Sequence, residues 1–267
     1  MNEQPLFFGP ERNLYGVLSL PDEAVHRKDL PAVLLPSVSL HPHHVGAFRG
    51  WVTLARRLAA LGYVSLRYDV GGTGESEAGT RAGTAIDCQL SENSAAMDLV
   101  ERRTGVRRFV LIGLCASADA AHSITLREPR IVGTVMIDAY GYRTRGQVLR
   151  HYIPRLLRPY HWSKFLQRKL GPTEVLAERD VPPRSVAQQQ LQIMMDRGVQ
   201  MLFLYTGGAS YYFNHHSQFR EMFPELKYRG RIEVEFDPLA SHLFEFSADR
   251  ERMFANVIGW INARDWR

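Results

Sequence analysis

The stretch that most restricts this chain runs from Arg107 to Ser123, where the apolar strand-forming run FVLIGL passes without a loop into ASADAAHS. The small residues from Ala116 onward suit a helix packed closely on a sheet, so the backbone has to turn sharply at Cys115. Gly113 and Ser117, two positions to either side, are small, as a strained strand-to-helix turn requires. Centring the turn on Ser117 instead would put Cys115 and Asp119 at the small positions, and Asp119 fits badly there. The turn is therefore read as presenting the thiol of Cys115. A cysteine at that place gains from the positive end of the helix dipole, which favours the more nucleophilic thiolate.

The same strand-then-helix unit recurs along the chain. Leu6 to Phe8 and Leu14 to Leu20 alternate like a hairpin across Gly9 to Asn13. Ala32 to Leu35 is an apolar run that ends at Pro36-Ser37 and enters the polar loop SVSLHPHHVG. Trp51 to Leu61 has helical spacing closed by Gly62, and Tyr63 to Tyr68 is a strand ending at Asp69 before the turn VGGTGES. Ser91 to Arg103 reads as an amphipathic helix with Ser91 as cap and Gly105 as stop. Ile131 to Ile137 is a strand ending at Asp138. From Tyr140 to about Gly198 no strand-like run occurs, only helix-compatible segments and the connection Val181-Pro182-Pro183. Alternation resumes with Met201 to Tyr205, Ser217 to Phe223, Ile232 to Phe236 and a terminal helix near Arg250 to Ala263. Such alternation implies an α/β fold with a mostly parallel sheet covered by helices on both faces. Residues 1–139 and 199–267 are expected to form the core, and 140–198 a helical cap or lid insertion.

A chain of 267 residues, 45% of them hydrophobic, can bury one large core. Two cysteines, Cys88 and Cys115, make no disulfide framework, and MNEQPLFFGPE lacks the basic and apolar regions of a signal peptide, so a reducing cytoplasm is expected. The apolar segment Phe109 to Ala118 is too short to span a bilayer. The net charge is +5, and its location is informative. Between Tyr140 and Leu170 stand Arg143, Arg145, Arg150, Arg155, Arg158, Lys164, Arg168 and Lys169, with no acidic residue. Aromatic residues lie among them, including Tyr142, Tyr152, Tyr160, Trp162 and Phe165. That combination fits an acyl pocket with an attraction for an acidic partner such as an acyl-carrier protein or coenzyme A. No nucleic-acid recognition motif accompanies the charge.

A thiol nucleophile needs a base, and the base needs orienting. His242, in LASHLFEF, follows the last strand and comes from the same sheet edge as Cys115. The loop after Tyr205, TGGASYYFNHH, holds no carboxylate. Two other acids are placed to orient His242: Asp138, at the end of the strand after the turn, and Asp237, close in sequence. Asp138 is preferred. Backbone N–H groups of Ala116 and of the loop after Leu35, at Val38, would hold an oxyanion. Gly71 to Gly74 lacks the Lys-Ser/Thr of a phosphate loop, and His41, His43 and His44 lack a cysteine or carboxylate partner at metal-ligand spacing. Neither a cofactor nor a metal is expected.

With these residues placed, the chain resembles the α/β-hydrolase superfamily over nearly its whole length, through FFGPERNLYGVLSLP, RYDVGGTGES, GLCASA and ASHLF. It is most similar to the type 1 branch of exosortase A-associated hydrolases. In that branch a GLC turn precedes a cap that opens with Arg-Thr and holds Leu-Arg-His-Tyr and Tyr-His-Trp-like stretches, here Arg143-Thr144, Leu149 to Tyr152 and Tyr160 to Trp162. The resemblance implies Cys115 as nucleophile and His242 as base. This sequence departs from the pattern in lacking an acid after Tyr205 and in having Ala240-Ser241 before the histidine. The chemistry implied is acyl transfer from an ester or thioester to water, or to an amine, alcohol or second thiol. The competing readings are a scaffold that has lost catalysis and docks a partner through its basic cap, and a carbon–carbon hydrolase or lyase.

Overall fold

The computed structural model describes residues 1–37, 43–80, 83–156 and 181–266. Eight strands form one sheet: β1 (Asn2–Phe8), β2 (Leu14–Leu20), β3 (Ala32–Pro36), β4 (Ser65–Tyr68), β5 (Phe109–Leu114), β6 (Ile131–Ile137), β7 (Gln200–Thr206) and β8 (Ile232–Asp237). Their order across the sheet is β1-β2-β4-β3-β5-β6-β7-β8. β1 and β2 form the hairpin, β2 runs antiparallel to β4, and every pairing from β4 to β8 is parallel. All six residues of β5 are buried, as expected of a strand covered on both faces.

The described residues also form helices α1 (Gly50–Ala60), α2 (Ala85–Thr104), α3 (Ala116–Arg127), α4 (Arg145–Leu156), α5 (Arg184–Asp196), α6 (Gln218–Met222) and α7 (Ser247–Asn262). Alternation along the strands splits the core in two. Leu34, Leu111 and Phe203 point to one face with Met97, Ala121 and Leu191 of α2, α3 and α5. Val33, Ile112 and Leu204 point to the other with Leu54 and Val257 of α1 and α7. Burying each such Val or Leu side chain is worth about 1.5–3 kcal/mol, so the period-two pattern fixes which helices cover which face. In α5, Ala187, Leu191, Met194 and Met195 are buried and join the first of these clusters. No helix among the described residues is long and apolar enough to cross a membrane.

β1 begins at Asn2 rather than Leu6 and β4 at Ser65 rather than Tyr63, and the largest difference from the sequence reading is at the start of α2. The helix expected from Ser91 begins at Ala85. Thr84 caps it: its Oγ1 accepts from the N–H of Asp87 (3.4 Å), and the Asp87 carboxylate accepts from the N–H of Thr84 (3.0 Å). This reciprocal capping box satisfies two donors that a helix start leaves open, so the first helical residues lie a turn and a half before the apolar stripe becomes visible. The stop falls at Gly105, at φ +78°.

Candidate functional site

Cys115 sits between the end of β5 and the start of α3 at φ +60°, ψ −124°, a conformation that costs a non-glycine residue of order 1–3 kcal/mol. The surroundings enforce it. Ser117 Oγ accepts from the N–H of Leu114 and donates to its carbonyl, both at 2.9 Å. A Cβ on Gly113 would lie 2.3 Å from the carbonyl oxygen of Ser117 and 2.7 Å from Cα of Ala118. Ser117 thus closes the turn rather than projecting into it, and Cys115, partly exposed, occupies the apex. Ala116 opens α3, and a first helical N–H has no acceptor within the helix.

His242 reaches this apex from the loop after β8. Its Nδ1 lies 2.7 Å from Oδ2 of Asp138, and its ring is hydrogen-bonded to the side chain of Cys115. With Nδ1 committed to the carboxylate, Nε2 is the nitrogen left for sulfur. The hydrogen bond to Asp138 is the main reason that the His242 pKa rises from 6.5 to about 9, with the Cys115 contact next and partial burial opposing both.

Asp138 follows β6, fully buried and at φ +49°. Its Oδ1 accepts from the N–H of Thr206 (2.7 Å) and its Oδ2 from the Thr206 hydroxyl (2.6 Å), so β7 supplies two donors to a carboxylate carried by β6. Buried charge is tolerable only with such partners. Tyr212 donates to the carbonyl of Asp138 (2.9 Å), and the buried Asp119 of α3 accepts from the N–H of Tyr140 (2.8 Å), fixing the chain beyond it. Asp237, the other acid in question, is engaged elsewhere: its carboxylate accepts from Arg252 Nε (2.7 Å) and from the N–H groups of Leu239 and Ala240 (3.1 and 3.2 Å).

The structure therefore brings Cys115, His242 and Asp138 together. Val38 and His41 lie outside the described residues, as do the Tyr160 to Trp162 segment and the side chains of Leu149 to Tyr152 beyond Arg150. Thr206, Asp119 and the glycine pair Gly207-Gly208 were not singled out from sequence. Of these only the glycines carry a local signal: a Cβ on Gly208 would lie 2.6 Å from the backbone nitrogen of His242, and one on Gly207 2.3 Å from the carbonyl of Pro238.

The histidine loop after β3 serves a different purpose at this edge. His44 Nδ1 lies 2.9 Å from Oδ2 of the fully buried Asp69, and the His44 backbone N–H also donates to that carboxylate. Glu75 N–H donates to it as well (3.0 Å). Gly74 passes so close that a Cβ would sit 2.3 Å from Asp69 Oδ2. Ligand atoms of His43, His44 and Asp69 lie within 4.8 Å of one another, and the His44–Asp69 hydrogen bond accounts for two of them.

No family model matches this sequence, and no curated protein matches it. Solved structures do. The chain is similar to meta-cleavage product hydrolase from Pseudomonas fluorescens IP01, with a TM-score of 0.60, 14% identity and 97% of each chain covered. It is similar to an alpha-beta serine hydrolase homologue from Coxiella burnetii, with a TM-score of 0.59 and 12% identity over 98% of this chain and 97% of the other. It is also similar to proline iminopeptidase from Mycobacterium smegmatis, with a TM-score of 0.58 and 14% identity over 98% of both. The fold is that of the α/β hydrolases, with Cys115 at the strand-to-helix turn after β5.

Proposed function

We propose that this protein is a hydrolase that cleaves an ester or thioester through an acyl-Cys115 intermediate. The observation that carries the reading is the continuous contact from the buried Asp138 carboxylate through His242 to the thiol at the strained turn. An imidazolium held beside sulfur favours the thiolate, which attacks the acyl carbonyl. The Ala116 N–H, at the start of α3, would receive the oxygen that becomes negative, with the loop after β3 as the source of a second donor. His242 then passes its proton to the departing alcohol or thiol. Deprotonated, it takes a proton from the incoming water, and attack on the acyl group frees Cys115 and returns the proton to the pair. An amine, alcohol or second thiol in place of water would make the reaction an acyl transfer.

The acyl group is proposed to arrive on an acidic carrier or on coenzyme A. On α4 Arg145, Val148 and Leu149 are exposed, with Arg143 just before it, giving cations beside apolar surface. Arg150 is not available to that partner, since it pairs with Glu221 at 2.8 Å. The test is intact-protein mass spectrometry after mixing with a short-chain acyl-coenzyme A and with p-nitrophenyl butyrate. An acyl adduct mapped to Cys115, and loss of both adduct and turnover in Cys115→Ala, is expected. Full turnover by Cys115→Ala would overturn the assignment, and a chain with neither adduct nor turnover but a salt-sensitive complex with an acidic protein would be a scaffold.

A further inference from the structure

Two tyrosines send their hydroxyls to the backbone just past β6. Tyr212, in the loop after β7, donates to the carbonyl of Asp138 (2.9 Å), and Tyr205, on β7 itself, donates to the carbonyl of Tyr140 (3.0 Å). The two bonds are alike in chemistry and act only two residues apart. The first of them holds the residue that carries the carboxylate.

Asp138 needs holding, because a φ of +49° is one that an L residue keeps only where its surroundings enforce it. Its N–H extends the sheet ladder onto the carbonyl of Leu204 (2.8 Å), and its carbonyl, beyond that ladder, is received by Tyr212. Peptide groups are planar, so fixing the one before and the one after Asp138 fixes the direction of its Cα–Cβ bond. That direction carries the carboxylate across to Thr206 and to His242 Nδ1. Tyr212 is itself built in. The fully buried Gln218 donates to the carbonyls of Tyr212 (2.7 Å) and Tyr142 (3.2 Å), tying the loop after β7 to the chain after Asp138. Gly141 lets the tyrosine ring lie against that chain: a Cβ there would come 2.6 Å from Tyr212 Cδ2.

We infer that Tyr212 is a positioning residue, whose hydroxyl fixes the peptide after Asp138 so that the carboxylate stays on His242. Its consequence for turnover rests on the acyl-Cys115 reading, whereas its effect on His242 does not. An NMR titration of His242 in the full-length protein tests it, in Tyr212→Phe and in Tyr205→Phe. Each variant keeps its ring and loses one hydroxyl from one carbonyl, so a merely structural role would make the two alike. Among the described residues, the titratable groups that act on the His242 ring are Asp138, from the end of β6, and Cys115, from the turn after β5. In Tyr212→Phe the hold of Asp138 loosens, and the His242 midpoint is expected to fall by about 0.5 to 1 pH unit, the three- to tenfold that one hydrogen bond supplies. In Tyr205→Phe it is expected to stay at the wild-type value. With p-nitrophenyl butyrate, kcat is expected to fall several-fold in Tyr212→Phe at unchanged KM. An unmoved midpoint in Tyr212→Phe, or an equal fall in both variants, overturns the assignment, and so does a raised KM at unchanged kcat. A wild type never acylated on Cys115 would defeat the hydrolase reading and leave the titration as the test of Tyr212.

Discussion

Replacing Asp138 by asparagine removes the charge that holds His242 protonated while leaving the side chain's shape. His242 rises from 6.5 to about 9 chiefly through this partner, a lift worth roughly 3 kcal/mol at about 1.4 kcal/mol per tenfold. The ring is 28% exposed, so most of that survives solvent screening. At pH 7 a histidine titrating near 9 is about 99% protonated, whereas one returned to 6.5 is about one quarter protonated. Burial opposes protonation, but the larger effect of the Cys115 contact still favours it, so the loss of imidazolium is at most about fourfold, and alkylation of Cys115 by iodoacetamide slows by no more than about that factor. The amide also favours the wrong ring tautomer, with Nδ1 as acceptor and the proton on Nε2 facing sulfur, so acyl turnover falls further. Peptide mass spectrometry of alkylation, with Cys88 as the internal reference, reads the first effect, and an NMR titration of His242 reads its cause. The stability consequence has a definite sign. A pKa raised on folding contributes fully below pH 6.5 and is lost as the pH rises through 9, so the melting-temperature gap between wild type and Asp138→Asn is widest below 6.5 and narrows toward 9. An unchanged His242 titration in the variant, or a gap that widens with pH, would refute the coupling.

Gly113→Ala forces a Cβ to 2.3 Å from the Ser117 carbonyl and is expected to cost more than about 2 kcal/mol in urea unfolding while abolishing Cys115 alkylation. Thr206→Val deletes the hydroxyl that donates to Asp138 at 2.6 Å. It should destabilise by about 1–3 kcal/mol, with Thr206→Ser restoring both stability and turnover. Gly208→Ala pushes on the His242 backbone at 2.6 Å, and turnover should collapse with little change in circular dichroism. Thr84→Ala removes the cap of α2 at a cost of about 1 kcal/mol, with kcat unchanged.

What the sequence disclosed is what depends on local pattern. The all-apolar run of β5, the small residues flanking Cys115 and the position of His242 after the last strand are each visible within a few residues. The start of α2 was missed because apolar periodicity draws attention to Ser91, although Thr84-Ala-Ile-Asp87 carries the capping pattern itself. The preference for Asp138 over Asp237 has little local support in the sequence, since both end strands. It is decided by the partners each carboxylate finds: Thr206 donates twice to Asp138, whereas Asp237, opposite Thr206 on the edge strand, is taken by Arg252 and its own loop. The contact of Arg67 with Glu3, which joins β4 to β1, is equally hidden. Glu3 is far away in sequence and becomes adjacent only when β1, β2 and β4 pair.

The lack of an acid after β7 and the glycines that stand there form one arrangement. The loop bearing His242 lies directly on the end of β7, so close that a side chain at Gly207 or Gly208 would strike Pro238 or His242. A carboxylate at either position is sterically excluded, and the orienting charge has to come from a neighbour. Asp138 meets that need from the adjacent strand end because its left-handed backbone turns the side chain across to Thr206, whose N–H and hydroxyl both donate to it. Restoring an acid by Gly208→Asp would therefore displace the very ring it was meant to orient.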